Sequence, residues 1–304
     1  MKISGFTMVR NATKFYFPLK ESILSILPVV DEFIIALGKG DPADNTEELI
    51  LSINSPKIKI VHRVWDEIKF TNGSIFREET NAALSHCTGD WCIYLQADEV
   101  IHEKDFETIK DACNKYSDKK EVEGMLLQYT HFWGDYNHCL KSHAICNKEI
   151  RIIRNYSGIQ SCNDANSFRR NEQKLNVVDI PVTVFHYGWA RPPGTMLQKK
   201  NEQDNLHRSS ASIEKTTVAL SESFDYGPLG TFPKFKGTHP EVMNDRINAM
   251  NWKDQLNYSK TQSLKRNKYK HEKIKYRIIS WFENKLLNDR QIFGWTNWNI
   301  VEKY

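Results

Sequence analysis

From residue 3 to residue 116 the chain repeats one unit, a short apolar run followed by a stretch with apolar residues at helical spacing. Residues 3–9, 33–37, 57–61 and 91–95 read as strands, and 17–27, 46–53, 73–86 and 104–116 as helices. Strands joined through helices pair parallel, because a parallel connection needs a crossover of roughly a dozen or more residues. The alternation therefore predicts an α/β domain, a doubly wound and mostly parallel sheet with helices on both faces.

Beyond residue 116 the period changes. Residues 124–133, 149–154 and 181–186 read as strands separated by loops, an antiparallel extension of the first sheet. Pro192-Pro193-Gly194, Gly227-Pro228 and Gly237-Thr238-His239-Pro240 predict loops between short helices across 190–240, and helical spacing returns over 273–287. A hydrophobic fraction of 40% over 304 residues suffices for one large core with an appended segment.

The net charge of +4 is unevenly placed, since residues 260–304 hold eleven Lys or Arg against four Asp or Glu. A basic tail suits an anionic membrane, an acidic partner or a solvated helix. Without a recognised module it does not read as a nucleic-acid footprint. The six cysteines form no C-x-x-C pair, so free thiols are expected. No run reaches the roughly 18 apolar residues of a membrane-spanning helix, and the N-terminus is too polar for a signal h-region. The expected location is cytoplasmic, with peripheral contact at the inner face of the membrane through the basic segment.

Residues 89–103 run Gly-Asp-Trp-Cys-Ile-Tyr-Leu-Gln-Ala-Asp-Glu-Val-Ile-His-Glu, an apolar strand that ends in adjacent carboxylates, Asp98 and Glu99. In an open α/β sheet ligands collect outside the carboxyl ends of the strands, so acids delivered there face a ligand. Such a carboxylate can share a divalent cation with a diphosphate and offset the charge released when a sugar–phosphate bond breaks. The alternative role for both acids is to cap the helix starting near Lys104.

Three segments, Phe76-Arg77-Glu78-Glu79-Thr80-Asn81-Ala82-Ala83-Leu84-Ser85, Gly89-Asp90-Trp91 and Leu95-Gln96-Ala97-Asp98-Glu99, together resemble glycosyltransferase family two, in a bacterial branch with Gln-Ala-Asp-Glu in place of Asp-x-Asp. The resemblance covers roughly residues 1–190 and implies the GT-A fold, a nucleotide-sugar donor and a Mn²⁺ or Mg²⁺ cofactor. It further implies inverting transfer of a sugar to a hydroxyl of a glycan or lipid-linked acceptor. On this resemblance residues 1–240 form the transferase domain, with a donor half to about 116 and an acceptor half beyond it, and 241–304 form a basic helical segment.

The same resemblance assigns roles. Gln96 stands where the family has its first Asp, Asp98 keeps the metal-binding place, and Glu99 orients the site. Val9, Arg10 and Asn11 match the nucleotide-facing turn after the first strand, and Arg77, Asn81 and Ala97 join them as donor contacts. The family's Asp at the end of the second strand is missing, and the turn after it is longer. Asp41 and Asp44 are the replacement carboxylates, with helix capping the equal alternative for Asp44.

Farther on, His186 in Phe185-His186-Tyr187-Gly188 resembles a histidine that joins the metal shell, and a packed core histidine is the other reading. Gly188 permits close backbone approach there. Asp164, in the loop after Arg151-Ile152-Ile153-Arg154, is the candidate base for the acceptor hydroxyl; an Asx-turn accounts for it equally well. Arg191, Lys199 and Lys200 are placed to reach the diphosphate after a loop closes, or are surface charges. Tyr187, Trp189, Phe232 and Phe235 are candidate sugar-stacking aromatics.

In the tail, Ile274, Ile278, Ile279, Trp281, Phe282, Leu286 and Leu287 mix with Lys273, Lys275, Arg277 and Lys285. The pattern suits a helix lying on anionic lipid or one packed on the domain. Two other readings remain: a nucleotidyltransferase, against which Gly38-Lys39-Gly40 lacks phosphate-loop spacing, and a glycan- or nucleotide-binding protein whose transferase site has decayed.

Overall fold

The computed structural model describes residues 1–68, 72–207, 223–261, 266–287, 291–292 and 296–304. Strands β1 (Ile3–Val9), β2 (Glu32–Gly38), β3 (Ile58–Arg63) and β4 (Trp91–Tyr94) pair parallel in the order β3-β2-β1-β4. Helices α1 (Leu19–Ile26), α2 (Thr46–Leu51) and α3 (Ser74–Leu84) link them. Every residue of β2 and β4 is buried, which is why both strands read as continuous apolar runs rather than as alternation. Helix α1 buries Leu19, Ile23 and Ile26, one face at helical spacing, in the core with Phe33, Ile35 and Ile93.

The extension follows β4. Strand β7 (Lys148–Arg154) pairs antiparallel with β4 and with β6 (Gly124–Trp133), and β6 pairs parallel with β10 (Gln173–Trp189). Strand β10 runs for 17 residues rather than the six expected. It contains Pro181, which has no N–H for the ladder, and its register against β6 shifts between Asp179 and Thr183. A bend of that kind hides a long strand from a periodicity count.

Four short strands escape the sequence pattern. They are β5 (Glu99–Ile101), β8 (Ile159–Cys162), β9 (Ser167–Arg170) and β11 (Trp298–Lys303). Three- to six-residue segments carry too little period to be told from loops. Helix α4 (Phe106–Lys115) lies where expected.

Two expectations need correction. The stretch after residue 190 begins with α5 (Pro193–His207), a 15-residue helix rather than a loop. Pro193 is its first residue, where proline's missing N–H costs nothing, so Pro-Pro-Gly marks a helix start. Residues 208–222 of that stretch lie outside the described residues. The segment 241–304 is not set apart from the domain either. Met243 and Trp252 lie in a core cluster with Phe132, Tyr136 and Tyr187, and β11 adds to the main sheet parallel to β10 at residues 175–179. Helices α6 (Asn244–Asn248) and α7 (Ile274–Leu286) complete it. Among the described residues no helix is long and apolar enough to cross a membrane, and all six cysteines are free thiols.

Candidate active site

Asp98 and His186 lie 88 residues apart in sequence and are joined by β5. The chain leaves β4, turns through 95–98, and re-enters the sheet as β5, which pairs antiparallel with β10 so that Glu99 faces His186. The Tyr187 N–H donates to the Asp98 carbonyl at 2.8 Å, which pins the turn. As a result Asp98 Oδ1 and His186 Nε2 stand 3.8 Å apart. A Cβ on Gly188 would fall 2.5 Å from the His186 ring and 2.8 Å from Asp98 Oδ2, so the bare backbone there keeps the space between them open.

The direction in which His186 presents its lone pair follows from its neighbours. His131, paired with His186 across β6 and β10, meets the Cys146 carbonyl with Nε2 at 2.7 Å and His186 Nδ1 with its own Nδ1 at 3.0 Å. A carbonyl only accepts, so His131 carries its proton on Nε2 and accepts at Nδ1. His186 then donates from Nδ1 and turns an unprotonated Nε2 toward Asp98. Burial keeps both rings neutral, pushing His131 down to about 3 and His186 below its ordinary value. Two acceptors thus face one another across 3.8 Å, and the Cys146 carbonyl holds the histidine's orientation through His131.

The other oxygen of Asp98 is already surrounded by positive charge. Lys199 Nζ donates to Oδ2 at 3.0 Å and to the Gly188 carbonyl at 3.0 Å. Arg191 Nη2 stands 3.7 Å from Oδ2. Burial raises the Asp98 carboxyl, but the Lys199 ammonium and the Arg191 guanidinium more than reverse this and hold it well below the usual carboxylate range. Burial and Arg191 bring Lys199 down to about 8. Arg191 is fully buried, donates from Nη1 to the Phe15 carbonyl at 2.5 Å, and leaves Nε and Nη2 without hydrogen-bond partners. Its place is beneath Asp98 rather than on the crevice surface, which corrects the expected reach to a diphosphate. Lys200 pairs instead with Asp204 along α5.

A divalent cation fits this site only in part. Among the described residues no three His, Cys, Asp or Glu side chains gather to hold a metal. Asp98 and His186 supply two ligands of the right kind, one oxygen and one imidazole nitrogen, and the remaining positions fall to oxygens of a ligand.

Glu99 is locked from several directions. Arg151 spans it bidentately at 2.8 Å and 2.8 Å, Tyr129 donates its hydroxyl at 2.6 Å, and the Gln96 N–H donates at 3.1 Å. This agrees with an orienting role, since Glu99 braces the turn that presents Asp98. Gln96 uses its side chain to reach the Ala165 carbonyl at 3.3 Å, tying the turn to the loop that carries Asp164. Ala97 is buried.

Helix α5 lies across the carboxyl ends of the strands. Besides Lys199, its Glu202 meets Arg10 at 2.9 Å, and its His207 Nε2 meets Asp164 Oδ2 at 3.4 Å. His207 Nδ1 bonds the Gln203 carbonyl, so both ring nitrogens face acceptors. The contact with Asp164 raises His207 and lowers Asp164 from their ordinary values. Asp164 also accepts from the side-chain amide of Asn166, a side-chain contact rather than the backbone bond of an Asx-turn.

Arg10 is held between Glu67 and Glu202 and lies 4.2 Å over the Trp65 ring. Val9 is buried, and Asn11, at a φ of 56°, accepts the Asp41 N–H with its side chain. Asp44 accepts from the N–H groups of Thr46 and Lys14 and from the Thr13 hydroxyl, tying the start of α2 to the segment after β1. Asp41 is exposed and pairs with Lys14. Arg77 and Asn81 line a cavity of about 660 Å³ between α3 and the β8–β9 hairpin, with Arg63, His86 and Gln160, while Asn81 accepts the Ser161 N–H at 2.7 Å. This cavity does not include Asp98. Tyr187 is buried and stacks on Phe132 at 4.7 Å, which removes it from the sugar-stacking candidates.

Sequence reasoning missed His131, His207, Trp65 and Glu149. Glu149 is buried, pushed up to about 7 by that burial, with Oε2 unpartnered. The signal available for His131 was its position on β6; that it faces His186 depends on strand register.

No protein-family model matches the chain, and no curated protein sequence matches it. Among solved structures it is similar to TarS of S. aureus, at 14% identity over 73% of this chain and 41% of that one, with a TM-score of 0.38. It is similar to residues 1–349 of TarS in complex with UDP, at 16% identity over 73% and 68% of the two chains, with a TM-score of 0.38. It is also similar to glucosyl-3-phosphoglycerate synthase from Mycobacterium tuberculosis in complex with Mn²⁺, UDP and phosphoglyceric acid, at 16% identity over 43% of each chain and a TM-score of 0.30. The chain spans about two-fifths of the length of the first of these.

Proposed function

We propose that this chain is a glycosyltransferase of GT-A architecture that moves a sugar, with inversion, from a nucleoside-diphosphate sugar to a hydroxyl of a glycan or lipid-linked acceptor. The observation that carries the reading is the pair formed by Asp98 Oδ1 and the unprotonated Nε2 of His186, facing each other 3.8 Å apart beyond the end of β4. Asp98 and His186 would hold a divalent cation, which would supply Lewis-acid neutralisation of the leaving diphosphate. Lys199 adds a buried ammonium on the same carboxylate, fixed by α5 rather than recruited from solvent. Arg191 sets the charge of Asp98 from below.

Asp164 takes the proton of the acceptor hydroxyl. A general base works best with a pKa near the working pH, and the His207 contact holds Asp164 below its usual range. The same contact sets an imidazole beside the base, with His207 Nε2 3.4 Å from Asp164 Oδ2. Gln96 keeps the Asp164 loop and the Asp98 turn in one frame through its bond to the Ala165 carbonyl.

Calorimetry with UDP and GDP, each with and without Mn²⁺, tests the reading. Binding of one nucleotide that strengthens with Mn²⁺ and disappears in His186→Ala is expected. Metal-independent binding, or none across a panel of nucleoside diphosphates, removes the proposal and favours the decayed-site alternative.

Gly188→Ala probes the geometry directly. Its Cβ meets the His186 ring and Asp98 Oδ2, both held by neighbours, so the site must shift at a cost of about 1–3 kcal/mol. Mn²⁺-dependent nucleotide affinity is expected to fall by roughly tenfold or more, the scale of a misoriented metal ligand. Unchanged affinity in a folded Gly188→Ala protein means that the space over Gly188 is not where the cation binds.

A further inference from the structure

Helix α7 faces the domain with its polar side. Ser280 and Glu283 are buried; Ser280 Oγ accepts the His143 N–H at 2.8 Å, and Glu283 Oε1 meets His143 Nδ1 and the Ile292 N–H, each at 2.8 Å. The outward side is mostly apolar, with Lys275 and Lys285 set within the same arc. Ile274, Ile278, Trp281, Phe282 and Leu286 are 68%, 62%, 59%, 42% and 59% exposed. At about 3.6 residues per turn these positions form one stripe along the helix. A concentrated apolar face left in water marks an interaction surface.

The charges around the stripe select its partner. Lys273, Lys275, Arg277 and Lys285 are all exposed, and Glu283, the only carboxylate from residue 273 to residue 287, is turned inward onto His143. A second copy meeting this face across a twofold axis would bring like charge against like. An anionic bilayer satisfies both features at once, taking the apolar side chains at the acyl boundary and the cations at the headgroups. Trp281 sits in the stripe, where an indole suits the headgroup level.

We propose that α7 seats this chain on an anionic lipid bilayer, with the Ile274–Ile278–Trp281–Phe282–Leu286 stripe in the interface and Lys273, Lys275, Arg277 and Lys285 against lipid phosphates. The surface is independent of the Asp98 site, so nucleotide calorimetry and membrane binding fail or succeed separately.

Flotation of the full chain with phosphatidylcholine vesicles, and with vesicles that also contain phosphatidylglycerol, is the test. Wild type is expected to float with the anionic vesicles and to lose most of that binding in high salt. Lys273→Gln/Lys275→Gln/Arg277→Gln is expected to weaken it by roughly 100-fold, at about fivefold per charge. Ile278→Glu/Trp281→Glu is expected to abolish it. All five positions are exposed, so thermal melting of both variants should match wild type. No flotation of wild type with anionic vesicles overturns the proposal, as does equal flotation of the variants. A dimer in sedimentation equilibrium that Ile278→Glu/Trp281→Glu dissolves, without vesicle binding, assigns the face to a second copy and overturns it too.

Discussion

Asp98→Asn is expected to lower sugar transfer by at least ~100-fold, the scale of removing one preorganised electrostatic group from a transition state. It is also expected to lower stability by about 3–5 kcal/mol, because Lys199 and Arg191 are left buried beside a neutral amide. The two effects separate in a second variant. Asp98→Asn/Lys199→Met removes one orphaned cation along with the carboxylate, so part of the stability returns while transfer stays lost. Lys199 in wild type is already depressed to about 8. A lysine depressed by folding gains stability as pH rises past its folded value, since the unfolded chain then binds more protons. Without Asp98 that value falls further, so the Asp98→Asn deficit should narrow as pH rises toward about 8 and level off above it, where Lys199 is neutral in both proteins. Near wild-type transfer by Asp98→Asn, or a melting deficit that does not change with pH, contradicts the assignment; transfer assays and thermal melts across pH read both.

The second large effect is expected at Arg151. Its guanidinium and the Glu99 carboxylate have side chains only 3% and 1% exposed, so solvent screens their interaction little. Arg151→Met leaves Glu99 as a buried unpaired charge, at a cost of about 3–5 kcal/mol. At about 2–4 °C per kcal/mol for large domains, melting should fall by roughly 6–20 °C. Glu99→Gln/Arg151→Met is expected to recover most of this, since replacing both partners of a buried pair is often close to neutral. Because Glu99 also receives the Gln96 N–H, the single variant should loosen the turn that presents Asp98 and weaken Mn²⁺-dependent nucleotide binding. A single variant that melts within about 1 kcal/mol of wild type, as an exposed ion pair would, shows that Glu99 is not held by Arg151 alone.

Much of the donor half was legible in the residues. Four strands and four helices to residue 116 have the periodicity, length and proline stops that local physics imposes, and Asp98 was visible as an acid at a strand end. The acceptor half was less legible. Strand β10 bends at Pro181, β5 is three residues long, and α5 begins at a Pro-Pro-Gly that resembles a loop. Arg191 and Lys199 read either as diphosphate contacts or as surface charges, because sequence does not record their burial around Asp98. Helix α7 was foreseen, but which face it turns inward was not.

The sequence by itself determined the alternating strands and helices, the carboxylate at the end of β4 and the cationic rim of α7, since these follow from side-chain chemistry and spacing within one element. Only the tertiary structure decided that β5 brings Asp98 against His186, that His131 and the Cys146 carbonyl set the imidazole's proton, and that Lys199 and Arg191 converge on one buried oxygen. Those depend on strand register and on contacts between residues many tens of positions apart, and a one-residue slip in register turns each side chain to the opposite face.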